Sequence, residues 1–411
     1  MGKQLFENIP TFRSGLIRLD QLAQSHGYPS VLGFCCSAGD NLESYSPFVI
    51  QVATICLEIA LARLWISLGI FPHSVIGHSL GEYAALNIAG VLSDSDTVYL
   101  VARRAQLLQE RCERGTHAML AVAASQATIA RYLQGKNYEV SCINGHEDVV
   151  LSGKTDDIHE IQAILTALKL KATLLAVPYA FHSSQVDVIL DDFETSAKMV
   201  TFRKPTIPVI CPLSGTVVDD AGYFGPKYLS DHCWKPVIVV AALQEAWNSR
   251  IITDRSQLLE IGPQPFFTQM VKSVLNSSVT TLPCLKRKQD TWPIFASTLS
   301  TLYAAGANIN WMEYPRVFPA CQQVIQLPAY NWDLKEYWIE ATSLSTTAVG
   351  EPVLPRLESP SIQRVVENTI HGEKGSIVVE TDIGHPDVFA IAQGHRVDNI
   401  PLCTPVCRQH P

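Results

Sequence analysis

The densest apolar stretch of the chain runs from Phe48 to Phe71, interrupted by Gln51, Glu58 and Arg63, with a helical run at about 47–68. Its length and apolar density predict a core helix, and the interruptions argue for burial in protein rather than a membrane span. A β-branched pair, Val75-Ile76, then climbs into Gly77-His78-Ser79-Leu80-Gly81-Glu82, and a helix-forming run over 83–89 follows at once. That pattern predicts a strand, a sharp turn and a helix. Ser93-Asp94-Ser95-Asp96 reads as a capping box that opens a further helix to about Glu113. On it Val98, Val101, Ala105, Leu108 and Cys112 share one face, with Arg104 at the margin and Arg103 pointing away.

From 118 to about 177 the pattern changes to short alternating units. Strands are predicted at 119–122, 140–143, 149–151 and 172–177, with helices at 125–133 and 155–168. This βαββαβ order is ferredoxin-like, and it reads as a small insert in a larger α/β body. Apolar stretches at 208–210 and 257–263 return the chain to that body. Residues 341–361 are rich in Ser, Thr, Pro and Ala and read as a linker. Beyond it, strands are expected near 376–380 and 389–391.

Composition narrows the class. A chain of 411 residues, 47% hydrophobic and 17% charged, describes a soluble globular protein with more than one domain. A net charge of −8 without a dense basic stripe argues against a nucleic-acid platform. Lys286-Arg287-Lys288 reads either as a solvated loop or as a local patch for an anionic ligand. Eleven cysteines without metal-type pairing suggest reduced thiols, a cytoplasmic setting and no metal centre, and the adjacent Cys35 and Cys36 cannot form an ordinary bridge. The first residues, Met1-Gly2-Lys3-Gln4, hold no apolar signal segment.

The candidate chemistry lies in the Gly-x-Ser-x-Gly turn. Its flanking glycines suit a turn too tight for side chains, and the new helix directs unpaired N–H groups toward the serine. Ser79 is thus placed for nucleophilic attack on an acyl group. Arg104, at the edge of a buried face, needs an anionic partner, either protein or ligand.

Together with Tyr179-Ala180-Phe181-His182-Ser183, these residues resemble the acyltransferase domain of polyketide and fatty-acid synthases. Asn87-Ile88-Ala89-Gly90-Val91-Leu92-Ser93 and Ser183-Ser184-Gln185-Val186-Asp187 are similar to the malonyl-CoA acyltransferase of fungal non-reducing polyketide synthases, and the resemblance covers about residues 1–340. It implies Ser79 as nucleophile, His182 as general base, Arg104 as the clamp for a malonyl carboxylate and the Leu80 N–H as an oxyanion donor. Phe181 stands where an aromatic residue goes with malonyl rather than methylmalonyl. Asn144 resembles a position beside the cleft, with a plain turn asparagine as the alternative, and His78 is given no chemical step. The expected fold is an α/β-hydrolase-like parallel sheet body with the ferredoxin-like subdomain inserted, then a linker and an incomplete hotdog-type segment. The expected domains are 1–116 and 179–340 for the large subdomain with its following linker, 117–178 for the insert, 341–362 for a linker, and 363–411 for the start of a product-template domain.

The implied substrates are malonyl-CoA and the phosphopantetheine thiol of an acyl carrier protein. Other polyketide synthase domains are the implied neighbours, and no cofactor is bound permanently. The first residues resemble the segment just after the family's first strand and its Gly-Gln-Gly loop, so that strand and the glutamine donor are expected to be missing. Gly394-His395-Arg396-Val397 and Leu402-Cys403 resemble the opening of the product-template domain, which makes His395 the remnant of a base. Two alternatives stand beside the acyltransferase: a catalytically impaired synthase fragment, and a serine hydrolase with the same elbow.

Overall fold

Three helices, α1 (Lys3–Asn8), α2 (Pro10–Ser25) and α3 (Leu32–Cys36), precede the long apolar helix α4 (Pro47–Ser67). The computed structural model describes residues 2–36, 45–275, 279–314, 326–335, 362–372, 374–394, 396–397 and 399–401. Helix α4 starts where the Ser46 hydroxyl accepts the Val49 N–H at 3.3 Å, with Pro47 in the first turn, where its missing N–H costs nothing. By length and composition α4 is apolar enough to cross a membrane. Here it is the spine of the core: Val52, Ile55, Leu57, Ile59, Leu61 and Trp65 are all buried, and α2 packs against it. Full burial of one such leucine contributes about 1.5–3 kcal/mol.

The body continues with β1 (Val75–Ile76), α5 (Gly81–Ile88) and α6 (Asp94–Arg111). Ser93 caps α6, its hydroxyl accepting the Asp96 N–H at 3.1 Å, as the capping pattern predicts. Then come β2 (His117–Val122), α7 (Gln126–Tyr132), β3 (Glu139–Gly145), β4 (Asp148–Lys154), α8 (Thr155–Ala167) and β5 (Ala172–Leu174). Strand β5 ends three residues earlier than its apolar run suggests. These strands lie in the order β5-β2-β4-β3, all antiparallel, and β8 (Val237–Ile238) adds in parallel to the open side of β3.

The chain returns through α9 (Leu190–Ala197), β6 (Val209–Cys211), β7 (Thr216–Val218) and α10 (Pro226–Trp234). After β8 come α11 (Val239–Asn248), β9 (Gln257–Glu260), α12 (Phe267–Val274), β10 (Thr280–Pro283) and α13 (Thr291–Ala304). Among the described residues the parallel pairs of the body are β1 with β6 and β9 with β10, and β7 closes onto β6 antiparallel. The expected parallel body is thus two small ladders. Strand β1 is two residues long because the chain turns into the elbow directly after Ile76.

Residues 327–411 form a separate unit. It holds an antiparallel hairpin of β11 (Arg364–His371) and β12 (Lys374–Glu380), a helix Pro386–Gly394, and a short ladder of β13 (Arg396–Val397) with β14 (Ile400–Pro401). The strand expected at 376–380 is present within β12. The one expected at 389–391 is corrected: those residues are helical. Pro386 at the helix start, Asp387 in the first turn and the Phe389 N–H donating to the His385 carbonyl at 2.8 Å favour a helix over a short apolar strand. His395 and the linker at 341–361 lie outside the described residues.

Candidate active site

Ser79 sits at the tip between β1 and α5 with φ 51°, in the left-handed region that a non-glycine residue occupies only at a cost of about 1–3 kcal/mol. The turn is possible because of Gly77: a Cβ there would stand 2.3 Å from the Glu82 Cα. Gly81 is not under the same constraint, since its nearest neighbour would be the Glu58 Oε2 at 3.9 Å. Only one of the two motif glycines is therefore a steric requirement. Leu80 caps α5 in a helical conformation, which leaves its N–H among the unpaired donors of a helix start, beside the serine.

The structure brings His182 to the serine across 103 residues of sequence, with its Nε2 2.7 Å from the Ser79 Oγ. Its Nδ1 lies 3.0 Å from the Lys235 carbonyl. A carbonyl only accepts, so Nδ1 carries the proton and Nε2 is left as the acceptor facing the serine hydroxyl. A backbone carbonyl thus does the orienting that a carboxylate performs in a triad. Burial, with Arg104 and His78 adding to it, lowers the His182 pKa to about 3, against the pull of the Lys235 carbonyl. The imidazole is neutral, and ready to accept a proton, across the whole physiological range.

Arg104 is not marginal, as the helical face suggested, but 2% exposed. Its Nη1 donates to the Gln51 Oε1 at 3.0 Å, its guanidinium carbon stands 5.4 Å from the centre of the Phe181 ring, and its Nε has no partner among the described residues. The Gln51 Nε2 is equally unpartnered. No acidic side chain among the described residues pairs with this arginine. Gln51 was visible in the sequence only as a polar break in an apolar helix, and that break was the available signal.

Asn144 is buried at the end of β3 and its Oδ1 stands 2.9 Å from the His78 Nε2, which joins the elbow to the five-stranded sheet. Phe266 meets the His78 ring edge-on at 5.6 Å. Phe181 packs edge-on against Tyr179 at 6.1 Å. Two groups that the sequence did not single out complete the floor. His232 is buried, edge-on to His182 at 5.6 Å and beside the Ser79 backbone. Glu82 is buried, and its Oε1 accepts the Tyr228 hydroxyl. Lys286, Arg287 and Lys288 are exposed, and the Arg287 N–H donates to the Gln264 Oε1 at 2.9 Å. Among the described residues no group of three His, Cys, Asp or Glu could hold a metal ion.

The buried titratable groups set a pH dependence. Burial pushes the Glu82 carboxyl up to about 8, with the Tyr228 hydrogen bond opposing it only in part. The folded state then keeps a proton that the unfolded chain loses above the ordinary carboxylate range, so stability falls as pH rises toward 8. His78, His182 and His232 are all lowered by burial, so below about pH 6.5 the unfolded chain binds protons that the fold refuses. Stability should peak at about pH 6.5 and fall on both sides. Burial pushes the Glu58 carboxyl up to about 8 as well, so the two acids share the alkaline limb. Melting temperature across pH 5–9 checks the peak, and Glu82→Gln should lessen the alkaline slope without removing it, whereas an unchanged slope would mean an ionised Glu82.

Comparison with known proteins follows the same residues. Residues 1–308 match the family described as "Acyl transferase domain". The non-reducing polyketide synthase fsr1 of Gibberella fujikuroi is 47% identical over 410 residues, which cover 98% of this chain and 18% of that protein. The chain therefore spans less than a fifth of that relative. The acyltransferase domain from the second module of the salinomycin polyketide synthase superposes with a TM-score of 0.69 at 30% identity, covering 80% of this chain and 75% of that one. The SpnD acyl transferase domain, solved in complex with 2-(pent-4-yn-1-yl)malonyl, gives 0.67 at 26% identity over 75% and 73%.

Proposed function

The chain belongs to the acyl transferase domain family, in the form carried by fungal non-reducing polyketide synthases, and from that premise we propose that it moves a malonyl unit from CoA to the phosphopantetheine thiol of an acyl carrier protein. In the first half-reaction the Ser79 Oγ attacks the thioester carbonyl while His182 Nε2 takes the hydroxyl proton. The Leu80 N–H steadies the oxyanion, the C–S bond breaks, and the imidazolium returns its proton to the departing thiolate. In the second half the pantetheine thiol gives its proton to His182 and its sulfur attacks the serine ester; the ester C–O bond breaks and the imidazolium returns that proton to the departing Ser79 Oγ. The four strands β5-β2-β4-β3 are read as a ferredoxin-like subdomain at 117–178 between two parts of a large subdomain, 1–116 and 179–340. A linker at 341–362 and a product-template start at 363–411 complete the proposed layout.

The observation that carries the substrate is Arg104, a buried guanidinium with an unused N–H and no acid beside it. The malonyl carboxylate supplies the missing anion in bidentate geometry. The malonyl derivative bound by the SpnD domain supports the same substrate class. A serine hydrolase has no use for such a clamp. The test is the intact mass of the protein after brief incubation with malonyl-CoA, then with a phosphopantetheinylated carrier protein. A malonyl adduct that the carrier removes is expected; its absence overturns the reading.

Phe181 gives a graded prediction. Its ring is held between Arg104 and Tyr179, and in the proposed pose it fills the space that an α-methyl group requires. One methyl in an apolar pocket discriminates by only about 10- to 200-fold. Phe181→Ala should therefore raise methylmalonyl relative to malonyl transfer by about 10-fold, measured by competition between the two CoA esters.

A further inference from the structure

The general base and the nucleophile are held by different sheets. Ser79 follows β1, in the ladder with β6 and β7, whereas His182 is held by Ser141 on β3 and by the Lys235 carbonyl on the chain entering β8, with the His232 backbone at the end of α10 beside it. His182 has φ 57°, a second left-handed non-glycine residue in the site, and such a backbone persists only where its surroundings over-determine it. The surroundings are specific. The Ser141 hydroxyl, fully buried in β3, lies 2.9 Å from the Phe181 carbonyl and 3.2 Å from the His182 carbonyl. A hydroxyl has one proton, here shared by the two carbonyls, and the Ser152 Oγ at 2.7 Å in β4 completes the set as its partner. Two residues earlier on β3, the Glu139 carboxylate accepts the Ser184 N–H at 2.9 Å and the Ser184 hydroxyl at 2.6 Å. The Lys235 carbonyl that holds the imidazole stands just before β8, which pairs with β3 at Cys142↔Val237.

We propose that Ser141 is a positioning residue for the general base: its hydroxyl holds the Phe181–His182 backbone in the left-handed turn that aims the imidazole at Ser79 and seats the Phe181 ring against Arg104. The inference rests on the Ser79–His182 reading of the site. Without the hydroxyl, two buried carbonyls lose their donor, the turn relaxes toward an ordinary backbone, and the imidazole drifts from the serine and takes on water. A general base supplies about 100- to 10,000-fold, so misaiming it forfeits part of that factor.

The experiment compares the parent chain, Ser141→Ala and Ser141→Thr by two readouts over pH 5–8. One is the rate of Ser79 labelling by a fluorophosphonate, which needs an activated serine but no malonyl site. The other is single-turnover malonylation from malonyl-CoA. Ser141→Ala should slow labelling about 10- to 100-fold at unchanged reagent affinity. It should also bring in an acid limb between pH 5 and 7 that the parent lacks, as a hydrated His182 returns toward its ordinary titration range. Ser141→Thr, which keeps the hydroxyl, should recover most of the rate and the flat profile. Circular dichroism establishes that each variant is folded. Should Ser141→Ala misfold, Ser152→Ala, which removes only the supporting hydroxyl, should show the same acid limb in weaker form. Labelling by folded Ser141→Ala at the parent's rate and with its flat profile overturns the inference, as does failure of the folded threonine variant to recover. Labelling that responds as stated while no malonylation occurs in any form leaves Ser141 in place and overturns the malonyl transfer instead.

Discussion

Ser79→Ala should abolish the acyl-enzyme and reduce malonyl transfer by at least about 10,000-fold, because among the described residues no other hydroxyl is placed against the His182 Nε2. The geometry makes the loss collective. The Ser79 Oγ and the His182 Nε2 share one hydrogen bond, and the base has no task once the hydroxyl is gone. His182→Ala should therefore cost nearly as much as Ser79→Ala, and the double variant little more than either, when single-turnover transfer is compared across all three. Additive losses would mean that the two side chains act in separate steps. The low pKa of His182 sharpens the expectation, since the imidazole is neutral down to about pH 3. Between pH 5 and 8 the parent's acylation rate should not show the sigmoid that an unperturbed histidine produces near 6.5. The same burial makes the base weak, so the proton has to move as the oxygen attacks rather than before it.

What the chain discloses before folding divides along sequence separation. The elbow is legible because strand, glycine and helix start lie within ten residues and each obeys local rules. The order of elements from β2 to β5 is legible for the same reason, short segments with matched periodicity and short connections. Helical spacing placed Arg104 near a buried face, but its full burial depends on α4 and on the Phe181 turn, which no local pattern encodes. His182 could be tied to Ser79 only through the family motif. The Lys235 carbonyl, the Ser141 hydroxyl and Gln51 lie 53, 40 and 53 residues from the groups they hold, and nothing in their own neighbourhoods marks them. The misread strand at 389–391 has a different cause. A three-residue apolar run carries no period, and Pro386 with Asp387 decided for a helix.

Arg104→Ala should lower kcat/KM for malonyl-CoA by about 100- to 1,000-fold while leaving acetyl-CoA, which has no distal carboxylate, within a few-fold of the parent. Truncating one partner of a buried ion pair leaves the other charge desolvated, and such losses run to about 3–5 kcal/mol. On the proposed reading the partner is the substrate itself, so the loss should fall on binding and transfer rather than on the fold. Arg104→Lys should rescue poorly, because a single ammonium cannot reproduce the fork that meets a planar carboxylate. The resting protein should respond in the opposite direction. Among the described residues it keeps a guanidinium with only neutral partners, the Gln51 amide and the Cys233 thiol, and an unused Nε–H, an arrangement that costs stability until an anion arrives. Arg104→Met, close in length and apolar, should therefore raise the melting temperature of the free protein by a few degrees while removing malonyl selectivity. Saturating malonyl-CoA should stabilise the parent and not the methionine variant. A variant that melts lower than the parent and still discriminates malonyl from acetyl would place the carboxylate elsewhere and make Arg104 a structural cation.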